Sequence, residues 1–201
     1  MPRVLIVFGT TNGQTTRVAR RMAEVLALSG LEVEVVDSAH PPEGFAAMSI
    51  GGFDAALVLG SVRMGKHPEA LVEFVRLHRK ELDAIPNAFV SVSLSAARGE
   101  KPAARREVAK TFQSFATRTG WRAAEQVPVA GALPYSKYTF RIRLLLKFIN
   151  WMLDGDTDTS RDYEYTDWTA VADFARRFGG AIVQAPAART GAPAQPEMRP
   201  R

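Results

Sequence analysis

Residues 3–8 read Arg3-Val4-Leu5-Ile6-Val7-Phe8, and Gly9-Thr10-Thr11-Asn12-Gly13-Gln14-Thr15-Thr16 follows directly. The first stretch is an apolar run of strand length. From residue 14 onward, Val18, Met22, Val25 and Leu26 recur at helical spacing on one face. A buried strand, a loop of hydroxyl and amide residues and a helix start make an anion site. The loop supplies side-chain donors, and the helix N-terminus supplies free backbone N–H groups. The loop holds no Lys or Arg. It lacks the Gly-x-x-x-x-Gly-Lys spacing of a nucleoside triphosphate site and the Gly-x-Gly-x-x-Gly of a dinucleotide site. A cradle of neutral donors suits a single phosphate monoester, the group that FMN carries. The plain alternative is an ordinary β–α turn.

Further strands are predicted at 31–36, 54–59, 88–94 and 127–130. Helical patterns alternate with them. The first covers 14–28 and ends near Gly30. The next starts at Pro68, a residue suited to a first turn, and carries Leu71, Phe74, Val75 and Leu82. A basic helix covers 101–119. The last covers 166–182, with Thr166 or Asp167 as cap and Trp168, Val171, Phe174, Ala175 and Phe178 facing inward. Five apolar strands alternating with helices imply an α/β fold, a doubly wound parallel sheet covered on both faces. Ligands in such sheets bind at the carboxyl ends of the strands, near the point where strand order reverses. That singles out three loops, at 9–16, 60–67 and 93–101. The domain is expected to span 1–183, and the Ala-, Pro- and Arg-rich residues 184–201 to be a disordered tail.

The 201 residues suffice for one domain with a full core. There is no cysteine, which excludes disulfides, thiolate metal sites and cysteine nucleophiles. Redox chemistry would have to come from a bound cofactor. The N-terminus enters a strand within three residues, so no signal peptide is expected, and no apolar run reaches the length of a membrane span. The expected location is the cytoplasm or the inner face of the cell membrane. The net charge of +5, from 26 basic and 21 acidic residues, favours anionic partners without indicating nucleic acid.

One segment breaks the alternation. Residues 134–165 form a long insertion between the fifth strand and the last helix. Within it, Arg143, Lys147, Asn150 and Asp154 fall on one narrow helical stripe of 140–153. Phe140, Ile142, Leu144, Leu145, Leu146, Phe148, Ile149, Trp151, Met152 and Leu153 cover the rest. Such a helix could lie in a membrane interface with Arg141, Arg143 and Lys147 at anionic headgroups. It could also wall a pocket for a large flat substrate, pack on a second copy of the chain or bury itself on its own core. Asp154, Asp156 and Asp158 match three calcium-loop positions. Thr159 stands where that loop needs glycine and Tyr165 where it needs Glu, so no metal site is expected.

The second loop reads Ser61-Val62-Arg63-Met64-Gly65-Lys66-His67. Its glycine permits close approach to a flat ring, and Arg63, Lys66 and His67 are expected to place positive charge where a reduced flavin needs it. The alternative is a solvated basic loop. The third loop begins Ser93-Leu94-Ser95. Neither loop contains Trp or Tyr, which leaves a bound ring open to a substrate. His40 and His78 have no metal-ligand partners at useful spacing, and no nucleophile elbow or His-Glu-x-x-His occurs.

These loops in this order resemble a flavodoxin. Ser61-Val62-Arg63-Met64-Gly65, Val129-Ala130-Gly131-Ala132-Leu133, Gly155-Asp156-Thr157-Asp158-Thr159 and Tyr165-Thr166-Asp167-Trp168 narrow the resemblance to the menaquinone-dependent protoporphyrinogen oxidase family. The resemblance implies a flavodoxin-like fold with bound FMN. It also implies oxidation of protoporphyrinogen IX to protoporphyrin IX in haem biosynthesis, with electrons passed to a respiratory quinone at the membrane. By position, Thr10, Thr11, Asn12, Gly13, Gln14 and Thr15 would hold the phosphate. Ser61, Val62, Arg63, Met64 and Gly65, with Ser93, Leu94 and Ser95, would flank the flavin ring. No residue is assigned as catalytic. Asn12 stands where the family pattern has an acidic residue. The competing readings are a flavodoxin-type electron carrier, an FMN-dependent quinone reductase and a scaffold domain without flavin. A carrier that docks basic partners is expected to be acidic, whereas this chain has a pI near 9.8.

Overall fold

The computed structural model describes residues 1–43, 49–99, 101–133 and 163–184. Five strands, β1 (Arg3–Gly9), β2 (Glu32–Asp37), β3 (Ala55–Ser61), β4 (Asn87–Ser93) and β5 (Glu125–Ala130), form one sheet in the order β2-β1-β3-β4-β5. Every pairing is parallel. The chain leaves β1 to one side for β2 and returns on the other for β3, so strand order reverses beside the carboxyl end of β1. This is the doubly wound order with its ligand crevice at that reversal.

Because successive strand residues face opposite ways, the apolar runs feed two cores. Val4, Ile6 and Phe8 of β1 pack on one face beneath α1 (Gln14–Leu28), through Val18, Met22 and Leu26. The other face carries Leu5, Val7 and Phe89. It is covered by α2 (Glu69–Asp83) with Leu71 and Val75, and by a later helix, Pro102–Thr119, with Phe112 and Phe115. That later helix is α4, because a single-turn helix, α3 (Leu94–Ala97), precedes it. The last helix, α5 (Trp168–Gln184), joins α1 on the first face through Val171, Phe174 and Phe178.

Element ends follow local chemistry. Gly30 takes φ +83, and the backbone N–H groups of Gly30 and Leu31 donate to the carbonyls of Ala27 and Leu26 at 3.0 and 3.3 Å. This doubly bonded glycine turn stops α1, and it takes Leu31 out of the expected strand. β4 ends at Ser93, one residue before the predicted end. The Ser93 hydroxyl accepts the Ala96 N–H at 3.2 Å and starts α3 at Leu94. β5 begins at Glu125, earlier than predicted, in register with Ala88. Among the described residues it pairs only with β4, which is why Pro128 is tolerated in it. Of the two candidate caps of α5, Asp167 accepts the Ala170 N–H at 2.9 Å.

A second, two-stranded sheet was not predicted: β6 (Ala132–Leu133) runs antiparallel to β7 (Tyr163–Glu164). The predicted helix at 140–153, the aspartates Asp154, Asp156 and Asp158, and residues 185–201 of the expected tail lie outside the described residues, while Gln184, expected to begin that tail, ends α5. Among the described residues no helix is long and apolar enough to cross a membrane.

Candidate functional site

The loop after β1 folds on itself. The Gly13 N–H donates to Thr10 Oγ1 at 3.0 Å, and Gly13 takes φ +90, a conformation that favours glycine. Gly13 is also the N-cap residue of α1, and no side chain caps the helix. No acidic residue occupies the first turn, so the positive end of the helix dipole is left for an external anion. Thr15 is fully buried, and its hydroxyl has no hydrogen-bond partner among the described residues. A buried unpaired hydroxyl costs about 1–3 kcal/mol, a cost removed by an acceptor arriving in the loop. Uncharged donors, an open helix start and an orphaned hydroxyl fit a phosphate monoester.

Gln14 behaves differently from its neighbours. Its Nε2 donates to Thr166 Oγ1 at 2.8 Å and to Glu164 Oε1 at 3.1 Å. Arg17 donates to Gln14 Oε1 at 3.1 Å and to Glu164 Oε2 at 2.9 Å. The Gln14 side chain is thus turned toward β7, and its contribution to the loop is its backbone N–H. Burial pushes the Glu164 carboxyl up, but the Arg17 and Gln14 hydrogen bonds outweigh it and hold the group below its usual range. Thr166 Oγ1 also donates to the Ala130 carbonyl at 2.7 Å, tying α1, β5 and β7 together.

The loop after β3 lies alongside. Thr11 Oγ1 and Ser61 Oγ are 3.2 Å apart, and the Val62 N–H donates to the Val92 carbonyl at 2.8 Å. Arg63 and Lys66 then exchange two backbone hydrogen bonds, at 2.9 and 3.0 Å. Between them Met64 and Gly65 take φ +50 and +74, the two positive values of a two-residue type I′ hairpin. Arg63, Met64, Gly65 and Lys66 are all exposed.

His67 does not add the positive charge expected of it. The ring is buried, with Nε2 3.1 Å from Ser91 Oγ, and packs edge-on against Phe89 and Phe115 at centroid distances of 5.2 and 5.0 Å. Burial, helped by the Arg118 charge, lowers its pKa to about 4, so the ring is neutral at pH 7. It needs Gly60 opposite, because a Cβ there would stand 2.8 Å from His67 Cδ2. His67 is the underpinning of the hairpin.

After β4, the Ser93 carbonyl accepts the Gly131 N–H at 3.0 Å, and the Gly131 carbonyl accepts the Tyr165 N–H at 3.2 Å. With its hydroxyl engaged by Ala96, Ser93 builds the rim. Leu94 and Ser95 form the first turn of α3, with Ser95 Oγ 3.4 Å from Glu107 Oε2. The three predicted loops therefore stand side by side at the carboxyl ends of β1, β3 and β4. Sequence reasoning missed Arg17, Glu164 and Gly131. Only Gly131 carried a local signal, a glycine directly after an edge strand.

A parallel sheet of this order, with a neutral hydroxyl loop and an uncapped helix start at its reversal point, defines the flavodoxin class of phosphate-binding domain. The flavodoxin domain family matches residues 5–160, and the chain belongs to that family. It is 34% identical over 175 residues to protoporphyrinogen IX dehydrogenase [quinone] of Escherichia coli (strain K12), covering 87% of this chain and 93% of that protein. It is 32% identical over 186 residues to the protein of the same name from Leishmania major, covering 92% of this chain and 78% of that one. Among solved structures, the flavodiiron core Flv1 of Synechocystis sp. PCC6803 shares the fold at a TM-score of 0.51 and 12% identity, over 92% of this chain and 37% of that one.

Proposed function

We propose that the protein binds FMN and oxidises protoporphyrinogen IX to protoporphyrin IX, passing the electrons to a respiratory quinone. The observation that carries the cofactor is the buried, unpartnered Thr15 hydroxyl at the uncapped start of α1. The two relatives, alike over most of the chain, supply the substrate and the acceptor.

In this reading Thr10, Thr11, Asn12, Gly13 and Thr15, with the Gln14 backbone N–H, hold the phosphate. The segments 61–65 and 93–95 flank the ring, mostly through backbone. When bound, FMN supplies the electron acceptor, and no side chain of this chain is required to be reduced or oxidised. The Arg- and Lys-bearing apolar segment 140–153 supports contact with the inner face of a membrane, where quinone dissolves, over contact with a second copy of the chain. The basic balance of the chain favours the enzyme over an electron carrier that docks basic partners.

Anaerobic FMN-loaded protein mixed with protoporphyrinogen IX tests the proposal. Flavin bleaching is expected, with three FMN reduced for each fluorescent protoporphyrin formed, because the oxidation removes six electrons and each FMN accepts two; added quinone is expected to restore the flavin colour and let porphyrin accumulate. A protein that binds FMN but does not bleach refutes the enzyme, and one that gains no FMN on titration refutes the cofactor.

A further inference from the structure

We infer that the Arg63–Lys66 hairpin receives the two carboxylates of a dicarboxylate macrocycle, with Met64 at its tip lying against the apolar edge of the ring. The inference rests on the porphyrinogen reading above and assigns substrate selection within it.

The two exchanged backbone hydrogen bonds make Arg63 and Lys66 directly opposite residues of an antiparallel ribbon. Their Cβ atoms then stand about 5 Å apart, with both side chains leaving on the same face. Like charges in that position repel and work against the hairpin. Several arginines on the described surface are paired, Arg17 with Glu164, Arg76 with Glu73, Arg118 with Glu69 and Arg177 with Glu125. Arg63 and Lys66 have no ion-pair partner among the described residues.

Met64 adds a second anomaly. It is the one described non-glycine residue with positive φ, at +50, in a turn where Asn, Asp or Gly is the unstrained choice. It is also 93% exposed. Among the described residues nothing packs on this long apolar side chain, which leaves it free to meet a ligand.

The platform beneath is firm. Val62 is bonded to Val92, His67 is locked between Ser91, Phe89 and Phe115, and Gly60 leaves room for that ring. The hairpin springs from Ser61, which touches Thr11 of the phosphate loop, so it stands at the site. Two adjacent cations around an exposed apolar tip match a ligand with two carboxylates on neighbouring positions of an otherwise apolar ring. Protoporphyrinogen carries its two propionates on adjacent pyrroles. A guanidinium can meet a carboxylate with two parallel hydrogen bonds, and the ammonium adds a point charge.

The test compares the FMN-loaded full chain with its R63Q/K66Q variant, using protoporphyrinogen IX and its dimethyl ester. The preference for diacid over diester, as a ratio of kcat/KM, is expected to fall by roughly 10–100-fold, the loss of charge-assisted hydrogen bonds. Taking the ratio cancels any change in flavin loading. A direct titration of protoporphyrin IX, followed by its fluorescence, is expected to show the same weakening. Met64→Gly is expected to raise KM for diacid and diester alike. An unchanged ratio with unchanged porphyrin binding overturns the inference. So does a ratio that moves only when anionic phospholipid vesicles are present, which would make the hairpin a membrane contact. If wild-type protein oxidises neither compound, the functional reading fails, and the porphyrin titration alone decides the inference.

Discussion

Replacing Thr15 with Val separates cofactor binding from folding, because the two effects have opposite signs. The Thr15 side chain is fully buried and its hydroxyl has no partner among the described residues. Valine keeps the shape and removes the orphaned group. The FMN-free protein is therefore expected to gain about 1 kcal/mol of stability, the lower part of the range for an unsatisfied buried polar group. FMN binding is expected to lose about 1.5–3 kcal/mol, a hydrogen bond to a charged acceptor, which is roughly 10–150-fold in Kd. Thr15→Ser keeps the hydroxyl and is expected to keep most of the affinity. Thr15→Ala loses the same hydrogen bond and opens a small void as well. Urea unfolding of FMN-free protein and quenching of flavin fluorescence measure the two quantities. If Thr15→Val left the affinity unchanged, or cost the FMN-free protein more than about 1 kcal/mol, the hydroxyl would not be a phosphate ligand waiting for its acceptor.

His67 gives the fold a pH dependence. Its folded pKa is about 4 against an ordinary 6.5, so between those values the unfolded chain binds a proton that the folded chain refuses. Its contribution is complete above pH 6.5 and falls by about 3 kcal/mol by pH 4; urea unfolding of His67→Gln should show a shallower decline over that window. Gly60→Ala places a Cβ 2.8 Å from His67 Cδ2 and 3.0 Å from Leu71 Cδ2. It should cost about 1–3 kcal/mol and lower FMN affinity by shifting the hairpin; an unshifted urea midpoint would contradict the packing. Deletion of 138–159 should leave FMN binding intact and abolish porphyrinogen turnover, and a truncated protein with full turnover would remove the insertion from substrate and membrane roles alike.

The central strands and α1 were legible because both faces of this sheet are covered, so β1 and β3 appear as unbroken apolar runs and β4 as one interrupted only by Ser91. β5 is half exposed, and Glu125 and Gln126 carry no apolar signal although they pair in register with Ala88 and Phe89. Leu94 prolonged an apolar run that the Ser93 cap diverts into a helix. β6 and β7 have two residues each, too few for any period to show. The loops of the site could be placed because each follows a readable strand. Their internal bonds could not: Gln14 meets Thr166 across 152 positions, and His67 meets Ser91 across 24. The burial of His67 follows from Gly60 and the paired rings of Phe89 and Phe115, a three-dimensional fit that no short window contains.

The distribution of charge separates two binding tasks in one crevice. The phosphate loop holds no cation, and Arg17, one turn along α1, is committed to Glu164. A phosphate there is met by a helix dipole, backbone N–H groups and hydroxyls, whose strength depends little on ionic strength at such short range. Two cations with no ion-pair partner among the described residues, Arg63 and Lys66, stand one loop further on. An anionic substrate drawn to those cations arrives beside the flavin loops without competing for the cofactor's own anchor. A carrier that docks acidic to basic partners would gain nothing from this separation, since it needs one broad charged face. An enzyme that must hold one anion permanently and release another at every turnover gains from it directly.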